Sequence, residues 1–224
     1  QDIVITAVVI GLLGMVPPIM FSLAGILSPR LSRATGLEWA LVIACLAMVV
    51  GPVLRGFAND ATMLGVGTII ALAGAGVGNI LIPPAVKEYF PDRIGRMTAV
   101  YATIMSIGAT LSPLAAAPAT IAIGWRGWLL AWAFIGLACA APWVALALAH
   151  RRDLRSGDAM VITHTALPAP IARSRLAWML ALAHLVPTVS VYAMFAWLPT
   201  IMHDIAGANE IEAGAMLSLF ALMG

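Results

Sequence analysis

Seven apolar stretches, about 3–27, 39–57, 61–86, 97–123, 126–149, 176–202 and 212–224, follow one another along the chain with polar connections between them. A helix needs ~20 mostly apolar residues to cross a hydrocarbon core ~30 Å thick, and most of the stretches supply that many. Membrane β-barrels read instead as strands of about ten residues with alternating polarity. That alternation is absent, so the pattern predicts an all-α, polytopic membrane bundle.

The connections alternate in charge. The first holds Arg30 and Arg33, the third Lys87, Arg93 and Arg96, and the fifth Arg151, Arg152, Arg155, Arg173 and Arg175. Only Arg55 and Arg126 lie near the second and fourth, and the sixth has no Lys or Arg. Acidic residues show no such bias, as expected of the positive-inside rule, which counts Lys and Arg rather than net charge. The odd-numbered connections, 28–38, 87–96 and 150–175, are therefore expected in the cytoplasm. Composition agrees: charged residues make up 10% of the chain, against roughly 25% in soluble domains, and the mean hydropathy is +1.00. A net charge of +2 marks the cytoplasmic face and points to no nucleic-acid partner. Cys45 and Cys139 fall inside spans, where packing is the default role and no disulfide framework is indicated.

The last stretch, 213–224, covers about 18 Å of helix at 1.5 Å per residue, too short to cross. Loop parity puts Gln1 outside the cytoplasm, so an intact protein starting inside is expected to have an odd number of helices in front, most simply one. The long polar stretch 150–175, with Pro168, Pro170, Ser156 and Gly157, has linker composition. The expected organisation is a first bundle at 1–149 lacking its first helix, an inter-bundle linker at 150–175, and the start of a second bundle at 176–224.

Particular residues carry a family resemblance. Gly25-Ile-Leu27-Ser-Pro29-Arg30-Leu-Ser32-Arg33 resembles the loop motif G-x-L-A-D-R-x-G-R of the major facilitator superfamily. Gly25, Leu27, Arg30 and Arg33 match, while Pro29 stands where the motif has Asp and Ser32 where it has Gly. The missing carboxylate removes a partner of the charge relay that the motif contributes to gating. The stretches GAGVGNILIPPAVKEYFP (74–91), RIGRMTAVYATIMSIGA (93–109), GWRGW (124–128) and AWLPTI (196–201) are similar to the branch containing bacterial cyanate permeases and 2-nitroimidazole transporters. The resemblance extends over most of the chain. It implies a partial major facilitator fold, about helices two to eight of twelve, with Gly25, Arg30 and Arg33 in the gating loop. It also implies a small-molecule substrate, a lipid bilayer as surroundings, a plasma or inner membrane location, no cofactor and a monomer at full length.

Several local features stand on physical grounds alone. In Phe90-Pro91-Asp92, Pro ends one helix and is tolerated in the first turn of the next, and Asp92 suits a positive helix N-terminus. Gly124 permits a tight turn, and Trp125, Trp128 and Trp132 put amphipathic rings near the headgroups. Gly74-x-x-x-Gly78 has the small-residue spacing that lets helices approach closely. Pro17-Pro18, Pro83-Pro84, Pro113 and Pro187 interrupt spans, which is tolerated where neighbouring helices or a wet cavity satisfy the freed carbonyls.

Few polar groups remain for binding. An unpaired Asn79 amide in hydrocarbon would cost several kcal/mol, so Asn79 is expected against helices or a cavity; interhelical hydrogen bonding and substrate contact both stay open. Tyr101, Thr103 and Ser106 lie on the following span. His184, Thr188 and Tyr192, at i, i+4 and i+8, form a polar stripe on one side of a helix. For His184 a functional role at membrane depth and a neutral imidazole bonded to a carbonyl both stay open. The substrate-binding set expected is Asn79, Tyr101, Ser106, His184, Thr188 and Tyr192. Arg55, near an outer span end, is expected to snorkel.

Enzyme chemistry is not indicated: there is no paired-carboxylate site, no closely spaced Cys/His metal set and no activated Ser or Cys motif. No carboxylate is placed at mid-membrane. The expectation is a secondary transporter of a small anion or small polar organic solute, cyanate- or nitroimidazole-like. Its alternatives are a drug-like multisubstrate exporter and a scaffold or receptor without cargo. Single cysteines at Ser32, Gly157 and Asn209, in a version without Cys45 and Cys139, test the topology. A membrane-impermeant reagent should label Asn209 from outside and the other two only from the cytoplasm, and outside labelling of Gly157 would overturn the assignment.

Overall fold

The computed structural model describes residues 7–156 and 174–223. Its elements are α1 (Ala7–Thr35), α2 (Leu37–Gly56), α3 (Ala61–Tyr89), a 3-10 turn (Pro91–Arg93), α4 (Ile94–Ser156), α5 (Arg175–Ala206) and α6 (Glu210–Met223). α4 folds back on itself at Gly124, whose φ of 72° and ψ of 160° leave the helical region. It therefore consists of two limbs, 94–123 and 125–156. Among the described residues the helical stretches Leu37–Gly56, Ala61–Tyr89, Pro91–Arg152 and Arg175–Ala206 are long and apolar enough to cross a membrane. The third, folded at Gly124, has the length for two crossings.

The helices overrun the apolar stretches. α1 runs on to Thr35 and ends only at Gly36, where φ is +88°. The motif-like segment from Gly25 to Arg33, expected in a loop, thus forms the last turns of a helix. Side chains support the backbone there: Ser28 Oγ donates to the Ala24 carbonyl at 2.6 Å, Arg33 Nε to that of Pro29 at 3.0 Å and Thr35 Oγ1 to that of Leu31 at 2.9 Å. Polar residues end a hydrocarbon span without ending a helix, because the backbone bonds are internal and water satisfies the side chains. α3 starts where Asp60 accepts from Met63 N–H at 2.7 Å. It ends at Phe90, and Pro91 opens the 3-10 turn, as the Phe90-Pro91-Asp92 pattern predicts. Gly207, at φ 65°, closes α5 in the left-handed conformation. A reciprocal cap opens α6: Glu212 Oε2 accepts from Asn209 N–H and Asn209 Oδ1 from Glu212 N–H, each at 2.9 Å.

α2 packs between α3 and the second limb of α4, and the contacts are made by small residues. A methyl built on Gly74 would stand 2.5 Å from the Ala44 carbonyl oxygen, and one on Gly67 2.8 Å from that of Gly51. Gly51 in turn lies against Ala71, and Gly136 of α4 against Val49. The buried apolar residues are largely alanines, among them Ala24, Ala40, Ala44, Ala85 and Ala140, whereas Ile104, Ile121 and Phe134 are exposed. Lipid tails are as apolar as leucine, so close backbone approach rather than hydrophobic exclusion holds such helices together.

The expected Gly74-x-x-x-Gly78 seam is corrected by this packing. A methyl on Gly78 would meet nothing within 4 Å, while one on Gly76 would stand 2.8 Å from Ala24 Cβ of α1. Gly74 therefore serves the α2 contact, Gly76 the α1 contact, and Gly78 neither. Gly74→Ala is expected to lower unfolding stability in detergent by about 1–3 kcal/mol through overpacking. Gly78→Ala should leave it unchanged or raise it by up to about 1 kcal/mol through helix propensity. Equal losses in the two variants would contradict the assignment.

Candidate functional site

Contacts between helices run in a closed circuit: α3 to α1, α1 to α5, α5 to α6, α6 to α4, α4 to α2 and α2 back to α3. Two junctions join the helices before residue 157 to those after 173. At the first, Phe21 of α1 and Tyr192 of α5 have ring centroids 6.2 Å apart with planes at 34°. One to two turns along, Gly14 faces Ala196 so closely that an added methyl would stand 3.3 Å from the alanine Cβ. At the second, a methyl on Gly214 of α6 would stand 2.9 Å from the Pro113 carbonyl oxygen of α4. Among the described residues the backbones of α3 and α4 do not approach that of α5 closely.

The expected site residues divide between these features. Tyr192 belongs to the first junction and is half-buried there; Thr188, one turn before it, is also half-buried. His184 lies on α5 a further turn back, by position in line with the other two, and its side chain lies outside the described residues. Asn79 is exposed on α3, and no described residue bonds to its side chain. It lies roughly 60° around the helix from Gly76, so it borders the α1-facing side without entering it. Tyr101 is half-buried and Ser106 exposed on the first limb of α4, where the Ser106 carbonyl accepts from Thr110 Oγ1 at 2.9 Å. No described contact joins Asn79, Tyr101 or Ser106 to α5. Gly25, Arg30 and Arg33 are exposed at the end of α1.

A cavity of about 320 Å³ opens where α4, α5 and α6 converge, lined by Pro113, Thr120, Pro199, His203, Glu210 and Leu217 among others. None of the expected substrate residues lines it. Arg55 packs its stem against Gly67, where a methyl would stand 2.7 Å from Cγ, and its Nε is buried without a partner. Near the Gly124 fold, Arg126 donates to the Ala58 carbonyl at 2.9 Å and lies 5.0 Å from the Trp125 ring centroid. Trp128 and Trp132 pack edge to face at 5.6 Å.

One chemically notable group escaped the sequence reading. Glu38, in the first turn of α2, is 5% exposed. The Tyr89 hydroxyl at the end of α3 donates to its Oε1 at 2.5 Å, and His150 Nδ1 near the end of α4 stands 3.7 Å from the same oxygen. The signal for it was its phase: Glu38 shares a helix face with Leu41 and Val42, both buried. Among the described residues no group of three or more His, Cys, Asp or Glu is arranged to hold a metal ion.

These features define a multi-pass α-helical membrane protein in which two sets of helices meet across narrow junctions. The family model for the Major Facilitator Superfamily matches residues 1–224, and the chain belongs to that family. It is 31% identical over 214 residues to the 2-nitroimidazole transporter of Escherichia coli (strain K12), covering 95% of this chain and 52% of the relative. It is 26% identical over 211 residues to the uncharacterized transporter YycB of Bacillus subtilis (strain 168), covering 93% of this chain and 50% of that relative. The chain thus spans about half the length of these curated relatives. No solved structure matches it.

The Phe21–Tyr192 pair should be measurable as a coupling. Single and double alanine replacements, compared by unfolding in detergent, are expected to give an interaction free energy of about 0.5–1.5 kcal/mol. Additive losses would remove the pair from the junction.

Proposed function

We propose that the protein is a secondary transporter that moves a small anion or a small polar organic solute, cyanate- or nitroimidazole-like, by alternating access. The observation that carries the proposal is the similarity to the 2-nitroimidazole transporter, which extends over 95% of this chain. In this reading α1 to α4 form one bundle, α5 and α6 begin the other, and the connection 150–175 runs between them on the cytoplasmic side of the plasma or inner membrane. The Arg- and Lys-rich connections 28–38, 87–96 and 150–175 support that orientation.

The passage is the space bordered by α1, α3, the first limb of α4 and α5. Asn79, Tyr101, Ser106, His184, Thr188 and Tyr192 approach it, and the cost of burying polar groups in hydrocarbon supports this role for them. With this orientation, the Phe21–Tyr192, Gly14–Ala196 and Pro113–Gly214 contacts run from the middle of the membrane outward. The arrangement then corresponds to a state closed toward the outside. Prolines at the junctions, Pro113 and Pro199, weaken the helices where the bundles must part.

Transport in vesicles containing the native protein tests the site. Asn79→Ala should weaken apparent substrate affinity by about tenfold, equivalent to one lost hydrogen bond of about 1.4 kcal/mol, while membrane abundance is unchanged. If the cargo is an anion, a protonated His184 attracts it, and uptake should fall as pH rises. His184→Gln should flatten that profile. Unaltered affinity and pH response in both variants, at matched abundance, would remove the two residues from the site.

A further inference from the structure

The end of the bundle that carries the Arg-rich connections contains a carboxylate that packing alone does not call for. Glu38 stands beside the apolar cluster of Leu37, Leu41, Leu81 and Ala85, with Trp143 and Tyr89 packed against it. Its side chain is 6% exposed, whereas that of His150 is 37% exposed. A carboxylate taken out of water is strongly disfavoured unless a counter-charge or a proton accompanies it. The Tyr89 hydroxyl, a neutral donor, offsets only part of that cost.

The surrounding charges leave the imidazole as the counter-charge. On α2 the Glu38 carboxylate stands alone in this corner. From α3 come Tyr89 and its neighbour Glu88, which adds negative charge beside the hydroxyl, together with the exposed Lys87. From the end of α1 come the exposed Arg30 and Arg33, the latter turned back to the Pro29 carbonyl. From α4, Arg152 is exposed, and the Arg151 guanidinium is stacked 4.6 Å from the Trp39 ring centroid instead of on Glu38. Among the described residues His150 is the cationisable group that approaches the carboxylate, at 3.7 Å, and it is open enough to exchange protons with water.

We propose that Glu38, Tyr89 and His150 form a proton-operated clamp on the end of α4 from which the chain continues toward α5. With a proton taken from water onto its ring, His150 is an imidazolium that closes on the Glu38 carboxylate. The last turns of α4 are then tied to the start of α2 and the end of α3. When that proton returns to water, the ion pair is lost, and the end of α4 is held by apolar packing and the Arg151–Trp39 contact. The clamp is closed when the ring carries the proton and released when it does not. It goes beyond the transport proposal and does not depend on any cargo.

A spin label at position 149, introduced by Ala149→Cys in the native protein without Cys45 and Cys139 and reconstituted in lipid nanodiscs, reads the clamp. Label mobility should rise as pH is raised from about 5 to about 8. That pH response should be lost in both His150→Gln and Glu38→Gln. His150→Lys, cationic throughout this range, should keep the label in its low-mobility state, so the test survives if the glutamine variants fold poorly. A wild-type label insensitive to pH, or a His150→Gln response equal to that of wild type, would overturn the clamp. Uptake is not measured, so either outcome leaves the transport proposal where it stands.

Discussion

In hydrocarbon a backbone polar group has no water to turn to, and every larger feature of this protein depends on that constraint. Helices satisfy the backbone internally, which is why the described residues form long helices joined by short turns. Once the backbone is satisfied, apolar surface gains little by leaving lipid for another helix. Association then depends on how closely two backbones can come. The α2–α3 crossing meets that demand with Gly51, Gly67, Ala71 and Gly74, whose missing or minimal side chains let carbonyl oxygens approach the opposite helix. The same economy explains an alanine-rich interior beneath a surface of isoleucine, leucine and phenylalanine.

The prolines qualify the rule rather than break it. Each one removes an N–H and leaves an upstream carbonyl to find a partner. Hydroxyl side chains add bonds to other carbonyls nearby, not to those that the prolines free: Ser28 bonds Ala24, Thr120 bonds Ala117 and Ser22 bonds Pro18. Such bonds bend helices without opening them. Prolines also lie where the two sets of helices meet, at Pro113 against Gly214 and at Pro199 beside the cavity. A junction built from a kinked helix and a glycine has little side-chain interlock, which suits surfaces that separate and re-form.

Polar groups on the helices divide into two kinds. Glu38 is enclosed and partnered by residues from two other helices, so its energetic consequences are local and structural. Asn79 and Ser106, in contrast, are exposed. A polar side chain turned toward open space in a membrane protein is disfavoured unless that space is wet, which links these residues to a passage in the proposed function.

Hydropathy and turn chemistry were sufficient to predict the helical class and the reversals at Phe90-Pro91 and Gly124, because each depends on residues close together in sequence. The motif residues from Gly25 to Arg33 were legible as a motif but not as a helix end, since polarity marks the edge of the hydrocarbon and not the last backbone hydrogen bond. Tertiary structure alone decided which face of each helix meets a neighbour. In a soluble protein the apolar face is the buried one. Here lipid-facing and helix-facing sides are both apolar, so periodicity could not tell Gly76, which meets α1, from Gly78, which meets nothing. For the same reason Glu38 escaped the sequence reading, and only the meeting of three helix ends made it a buried, partnered acid. Tyr192 likewise read as one member of a polar stripe, and only the crossing of α1 and α5 made it a partner of Phe21.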